Sequence, residues 1–232
     1  LGQDNLRVAE RTTFPGQGRF PTSLWPVGRA FCETLAMHVA PWAPAPELYA
    51  LEVGLYDAAY GKRLPVPDEP PTVGLVRVTP RPDSAHTWTT PTHTLSYELG
   101  GQIRLVGYNS STSLASSDTF TLTLYWQAHQ VPPGDYKVFV HLLDETGEIV
   151  AQDDTPPRGG RYPTWAWQPG DLVPDTYQLD LPAERAPGPY RLFVGMYHPE
   201  TGERLPVVGP EGPVPNDAIR LSIGSAPVKE TR

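Results

Sequence analysis

Cysteine is almost missing from this chain. Cys32 stands alone among 232 residues, which excludes an internal disulfide and any metal centre built on several thiolates. Lysine is also scarce, three against fifteen arginines, in a chain of net charge -8. An acidic chain without a basic stripe is a poor match for nucleic acid or anionic lipid. No apolar run approaches the roughly 20 residues needed to span a bilayer. The opening Leu1-Gly2-Gln3-Asp4-Asn5 has none of the marks of a secretory leader, and its start on Leu1 reads as a fragment excised from a longer protein. What abounds is proline, 29 residues, more than twice its usual share. Because proline inside a helix costs roughly 3 kcal/mol, long helices are not expected.

The chain repeats itself in part. Gly160-Arg161-Tyr162-Pro163-Thr164-Trp165-Ala166-Trp167 answers Gly18-Arg19-Phe20-Pro21-Thr22-Ser23-Leu24-Trp25, and Gly170 answers Gly28. One residue earlier in offset, the run from Tyr190 to Tyr197 answers Tyr49 to Tyr56, and Gly202-Glu203-Arg204-Leu205-Pro206-Val207 answers Gly61-Lys62-Arg63-Leu64-Pro65-Val66. Internal repetition of this kind predicts two copies of one module. The first copy has no counterpart of residues 94–149, so the modules are unequal: 1–78 a truncated repeat, 79–93 a Pro/Thr-rich linker, 94–226 a complete repeat. Gly2-Gln3-Asp4 matches Ala151-Gln152-Asp153.

Strand signals dominate. Residues 119–126 alternate, placing Phe120, Leu122, Leu124 and Trp126 on one face. Tyr177, Leu179 and Leu181 alternate likewise, matched by Leu35, Met37 and Val39; so do Leu192, Val194 and Met196, matched by Leu51, Val53 and Leu55. Gly147 marks a hairpin turn within 141–150, and similar turns recur about every ten residues. The predicted fold is all-β: an antiparallel sandwich, Ig-like or jelly-roll-like, with strands near 102–108, 119–127, 136–152 (a hairpin), 176–181, 190–197, 204–207 and 218–223. A truncated first copy would leave Leu35, Met37, Val39, Leu51, Val53 and Leu55 facing water. Burial of six such side chains is worth roughly 9–18 kcal/mol, so a cover is expected, either the second copy or another chain in a homodimer.

The repeated Gly-Arg-(Phe/Tyr)-Pro-Thr-x-x-Trp-x-x-Gly stretch is the candidate binding site. Planar aromatics stack on sugar rings and a nearby arginine bonds hydroxyls. Arg161, Tyr162 and Trp165 would form such a platform, with Arg19 and Phe20 as its copy. The alternative is a rigid corner with the tryptophan as a plug, since large aromatics are mostly buried. Trp167 and Trp25 repeat and so read as plugs, whereas Trp165 has no aromatic counterpart and reads as the ligand contact. Acidic turns such as Asp144-Glu145-Thr146-Gly147-Glu148 lack the alternating ligands of a calcium loop and read as ordinary turns. His141 and His129 are placed on strands as hydrogen-bonded structural histidines. No cofactor or metal is called for, and no nucleophile elbow or phosphate loop occurs. A glycoside-hydrolase carboxylate pair is not pointed to by any spacing.

The stretch Tyr125-Trp126-Gln127-Ala128, then Asp135 to Asp144, Ala151-Gln152-Asp153-Asp154 and Tyr162-Pro163-Thr164-x-x-Trp167 is distinctive. It resembles the soluble C-terminal β-sandwich repeats of bacterial membrane-embedded glycosyltransferase-like proteins of the dolichyl-phosphate-mannose mannosyltransferase type. The run from Tyr190 to Val207 is similar to the same pattern. The resemblance implies an extracytoplasmic accessory domain beside a transferase that uses lipid-linked sugars, and it carries no catalytic or binding residue onto this chain. The resulting expectation is a non-catalytic module that binds glycan, or else a spacer or self-association module, with a glycoside-acting hydrolase built on an unrecognised carboxylate pair as the third reading.

Overall fold

The computed structural model describes residues 6–65, 72–80, 90–111, 118–184 and 189–223. Its contacts divide into two compact units, 1–86 and 87–232, a division inside the stretch read as the linker. Among the described residues there is no α-helix; strands and short 3₁₀ turns make up the regular structure.

The second unit is an antiparallel sandwich. One sheet carries β5 (His93–Leu99), β6 (Ile103–Ser110), β7 (Thr119–Ala128), β10 (Leu172–Asp180), β12 (Val207–Gly209) and β13 (Gly212–Pro213), in the order β10-β7-β6-β5-β12-β13. The other carries β8 (Lys137–Leu143), β9 (Ile149–Thr155), β11 (Arg191–Tyr197) and β14 (Ile219–Leu221), in the order β14-β11-β8-β9. The alternation in β7 does what a period of two requires: Phe120, Leu122, Leu124 and Trp126 are all buried. Val138, Val140 and Leu142 of β8 and Leu192, Val194 and Met196 of β11 complete the core. Glycine at 195 lets that core close, because a Cβ there would stand 2.5 Å from the Phe139 ring and 2.9 Å from the Asp217 carbonyl. The Tyr108 hydroxyl of β6 donates to the Ser222 carbonyl at 2.6 Å, tying one sheet to the other.

The first unit holds two small sheets. β1 (Glu47–Glu52) pairs with β4 (Thr72–Val78), and β2 (Tyr56–Asp57) with β3 (Lys62–Arg63). Its buried cluster is Val8, Ala43 and Tyr49, with Val39 and Val78 packed against it.

Matched segments take the same local shape. Tyr56 pairs with Arg63 as Tyr197 bridges Arg204. Gly61 donates to the Asp57 carbonyl at 2.8 Å as Gly202 does to that of His198. Leu64 bonds Leu55 as Leu205 bonds Met196, at 2.8 and 2.9 Å.

Several expectations need correction. Residues 35–39 are not a strand: the matching β10 gains its ladder from β7, and the first unit has no described strand in that place. β1 ends at Glu52, so Val53 and Leu55 lie beyond it, exposed. His93 opens β5 and stacks on Tyr108 at 4.5 Å instead of closing a linker. The strand expected at 204–207 begins at Val207, with Arg204 contributing a single bridge. His129 falls just past the end of β7 and is exposed. The proposed match of Gly2-Gln3-Asp4 and residues 81–89 of the linker lie outside the described residues.

Candidate functional site

The corner that follows β9 is built by two successive turns. Pro156 and Pro157 fix an extended entry, after which Arg158, Gly159 and Gly160 take φ of 55°, 63° and 84°. Three left-handed residues in a row are unfavourable for L-amino acids, most of all at the non-glycine Arg158. A carboxylate compensates: the Arg158 amide donates to Asp175 Oδ1 at 2.7 Å. Pro163 then starts a 3₁₀ turn over Thr164–Ala166, closed by Trp167 N–H to the Thr164 carbonyl at 3.0 Å.

Asp175 lies on the inward face of β10, almost fully buried. Its second oxygen accepts a short hydrogen bond from the Tyr177 hydroxyl. Burial pushes its pKa up to about 6, against the opposing pull of Tyr177, the Arg158 amide and charge, and the Trp126 indole. Burial, reinforced by the neighbouring carboxylate, holds the Tyr177 phenol well above its ordinary value.

The aromatic residues of the corner are locked from inside. Tyr162 is fully buried; its hydroxyl donates to Asp171 Oδ2 at 2.5 Å, and its carbonyl accepts the Trp167 indole N–H at 2.9 Å. The two rings lie 6.4 Å apart and nearly parallel. Thr164 ties the corner to the turn before β8, accepting from the Tyr136 amide and donating to the Gly134 carbonyl, both at 2.9 Å. Tyr162 therefore offers no face to a ligand, which corrects its place in the expected platform. Arg161 is half-buried beside it. Trp165 alone of the three aromatics points outward, 47 % exposed.

The first unit repeats the construction. Gly16, Gln17 and Gly18 take φ of 62°, 53° and 85°. The Gly16 and Gln17 amides donate to Glu33 at 3.1 and 3.2 Å, the service that Asp175 performs in the second unit. Trp25 Nε1 donates to the Phe20 carbonyl at 3.2 Å, as Trp167 does to Tyr162. Phe20, half-buried, packs edge-on against Phe31 at 4.7 Å, and Arg19 is exposed. So Phe20 and Tyr162 are the repeated plug, together with Trp25 and Trp167. Sequence reasoning missed Glu33 and Asp175. Their shared signal is an acid seventeen residues after the first left-handed residue.

Beside the corner, Tyr136 also borders a shallow cleft of about 450 Å³ with Glu98, Gln102, Leu205 and Pro206. Arg104 bonds Glu98 at 2.6 Å and, by that bond and its charge, holds the carboxyl below its ordinary range. In the 144–148 turn, Asp144 Oδ1 takes the Thr146, Gly147 and Glu148 amides and the Thr146 hydroxyl. His141 Nε2 meets Asp154 at 2.9 Å across β8 and β9. Among the described residues no group of three or more His, Cys, Asp or Glu is placed to hold a metal, and no helix is long and apolar enough to cross a membrane.

No family model and no curated protein matches the chain. Among solved structures, one described as a beta-glucuronidase from glycoside hydrolase family 2 is similar, with a TM-score of 0.30 and 14% identity. The match covers 44% of this chain and 11% of that one.

Proposed function

We propose that the chain is a non-catalytic β-sandwich accessory module which contacts a saccharide through Trp165. The observation that carries this reading is the contrast within one corner. Tyr162 and Trp167 are sealed inside and fully hydrogen-bonded, while Trp165, three residues from one and two from the other, stands 47 % exposed on that rigid mount. An indole held in place loses little entropy when a sugar ring stacks on it. Arg161, half-buried next to the mount, supplies the neighbouring cation. The first unit has Ser23 at the matching position, so Arg19 remains there without an outward ring and the contact belongs to the second unit.

The non-catalytic part rests on where the carboxyl with the raised pKa sits. Asp175, with its pKa near 6, commits both oxygens to Arg158 and Tyr177 within the core, where no substrate reaches it. The setting we propose is the extracytoplasmic face of a larger membrane glycosyltransferase-like protein, following the sequence resemblance. A spacer or self-association role is the second reading, favoured by the exposed aliphatic side chains of the first unit.

Titration of tryptophan fluorescence with a panel of bacterial glycans tests the saccharide contact. A saturable change that disappears in Trp165→Ala, with unfolding midpoint unaltered, is the expected result. A response that persists in Trp165→Ala, or none from the wild type, refutes the contact and leaves the spacer reading.

A further inference from the structure

The outward face of the six-stranded sheet carries polar groups that the corner does not use. Ile103 and Leu105 of β6 are buried in the core, so Gln102 and Arg104 alternate to the other face. Arg104 is paired in register with Glu98 of β5, and Glu98 with Val208 of β12, which sets the three in one row across the strands. Glu98, Gln102 and Val208 line the cleft of about 450 Å³ that Tyr136 borders, together with Leu205 and Pro206. The framing is fixed from several sides. Between β5 and β6 the chain turns on Gly100 and Gly101, with φ of 57° and 71°, a hairpin suited to glycine. The Gly100 amide donates to the Pro206 carbonyl at 2.9 Å, and the Gln102 carbonyl accepts from the His129 amide at 2.7 Å. A Cβ at position 100 would stand 3.1 Å from Leu205 Cδ2 and 3.3 Å from Gln102 Oε1, so glycine lets both side chains lie against the turn.

Two polar atoms of this group are unmatched. Among the described residues, neither Gln102 Oε1 nor Arg104 Nε has a hydrogen-bond partner, although both atoms are buried. Unmet polar groups away from water are costly and uncommon. The first can only accept and the second only donate. Glu98 is bonded to Arg104 at 2.6 Å, and that bond and charge keep its carboxyl below the ordinary range, so it too only accepts. We infer that the cleft is a second saccharide subsite, in which neighbouring hydroxyls of a neutral sugar ring meet Gln102, Arg104 and Glu98 while its C–H face lies on Leu205 and Pro206.

The inference rests on reading the module as saccharide-binding, but on no atom of Trp165. A hydroxyl both donates and accepts, so adjacent hydroxyls on one ring serve two acceptors and a donor together. A free cation would face the Arg104 charge and an anion the Glu98 charge, which leaves a neutral ligand as the match. The volume falls within the roughly 300–1,000 Å³ typical of small-ligand sites. The cleft also adjoins the corner, because the Tyr136 amide donates at 2.9 Å to Thr164, the residue before Trp165.

The test is nitrogen–proton NMR of the full chain, with the methyl glycosides of glucose, galactose and mannose as probes. The Gln102 carboxamide and the Gly100 and Gly101 amides report on the cleft, and the Trp165 indole N–H on the other contact. With at least one glycoside the cleft signals should shift saturably, in wild type and in Trp165→Ala alike. Binding should weaken at least tenfold in Gln102→Leu, and severalfold in Glu98→Gln, an exposed substitution. The unfolding midpoint of Gln102→Leu should equal or exceed that of wild type, since leucine removes an acceptor that nothing in the protein satisfies. The inference is overturned if no glycoside shifts the cleft signals, if the shifts persist in Gln102→Leu, or if that variant melts lower than wild type. It is overturned as well if N-acetylglycinamide shifts these signals and the glycosides do not, which would mark a peptide site. A response at the Trp165 indole alone removes the cleft and keeps the Trp165 contact, a response at the cleft alone does the reverse, and silence at both removes both.

Discussion

Replacing Asp175 by asparagine should remove most of one pH dependence from folding. The carboxyl is almost wholly buried, and desolvation raises its pKa from 3.8 to about 6. A folded chain that holds this proton more tightly than the unfolded chain is favoured by acid. The contribution is complete below pH about 4 and is lost as pH climbs through about 6. At 1.4 kcal/mol per pKa unit, the loss is about 3 kcal/mol. Asparagine keeps an oxygen for the Arg158 amide and offers an N–H to the Tyr177 oxygen, so the left-handed turn retains its clamp. Urea unfolding followed by tryptophan emission, at intervals from pH 4 to 8, measures the effect, since Trp126 and Trp167 are buried in the same unit. The difference in stability between variant and wild type should move by about 3 kcal/mol in favour of Asp175→Asn across that range, with most of the change between pH 4 and 6.5. Parallel profiles for the two proteins would refute the assignment of a neutral-favoured acid at this position.

Two further substitutions probe the framework. Gly195→Ala forces a methyl against the Phe139 ring and the Asp217 carbonyl, and should lower unfolding free energy by about 1–3 kcal/mol in a thermal or urea melt. Thr164→Val keeps the shape but strips the Tyr136 amide of its acceptor and the Gly134 carbonyl of a donor; a loss of about 1–3 kcal/mol is expected in the same melts.

How much of this could be read from residue order depends on the range over which each decision is made. The alternation in β7 and the Gly147 turn are local, so their period and backbone freedom announce them. The run 35–39 carries the same alternation, but a strand needs a ladder, and no described neighbour supplies one. His93 sits in a Pro/Thr-rich stretch that reads as linker, yet its ring stacks on Tyr108 and starts β5. At the corner, an aromatic that repeats between copies is a plug. That rule picked out Trp167 and Trp25, and it applies equally to Tyr162 and Phe20. The tyrosine hydroxyl, satisfied by an aspartate nine residues on, disguises a core residue as a surface one. Asp175 and Glu33 stayed hidden because their meaning depends on a left-handed turn far back in the chain, led in one case by an arginine that gives no hint of such a conformation.

The clamp between acid and turn gives this architecture a fingerprint for finding its kin. The two versions share the Gly-Arg-x-Pro-Thr-x-x-Trp frame but differ at several positions that the clamp itself uses. Arginine replaces glycine at the first left-handed residue, tyrosine replaces phenylalanine, and aspartate replaces glutamate. What persists is a spacing: a proline, three residues of positive φ, an aromatic-Pro-Thr step, a tryptophan whose N–H returns to the aromatic's carbonyl, and a carboxylate seventeen residues after the turn begins. The acid's length follows its surroundings. In the exposed version the longer glutamate divides its oxygens between two amides; in the buried one the shorter aspartate shares itself between an amide and a phenol. Distant relatives are therefore better sought by a pattern that fixes the interval and leaves the choice of acid open than by residue identity.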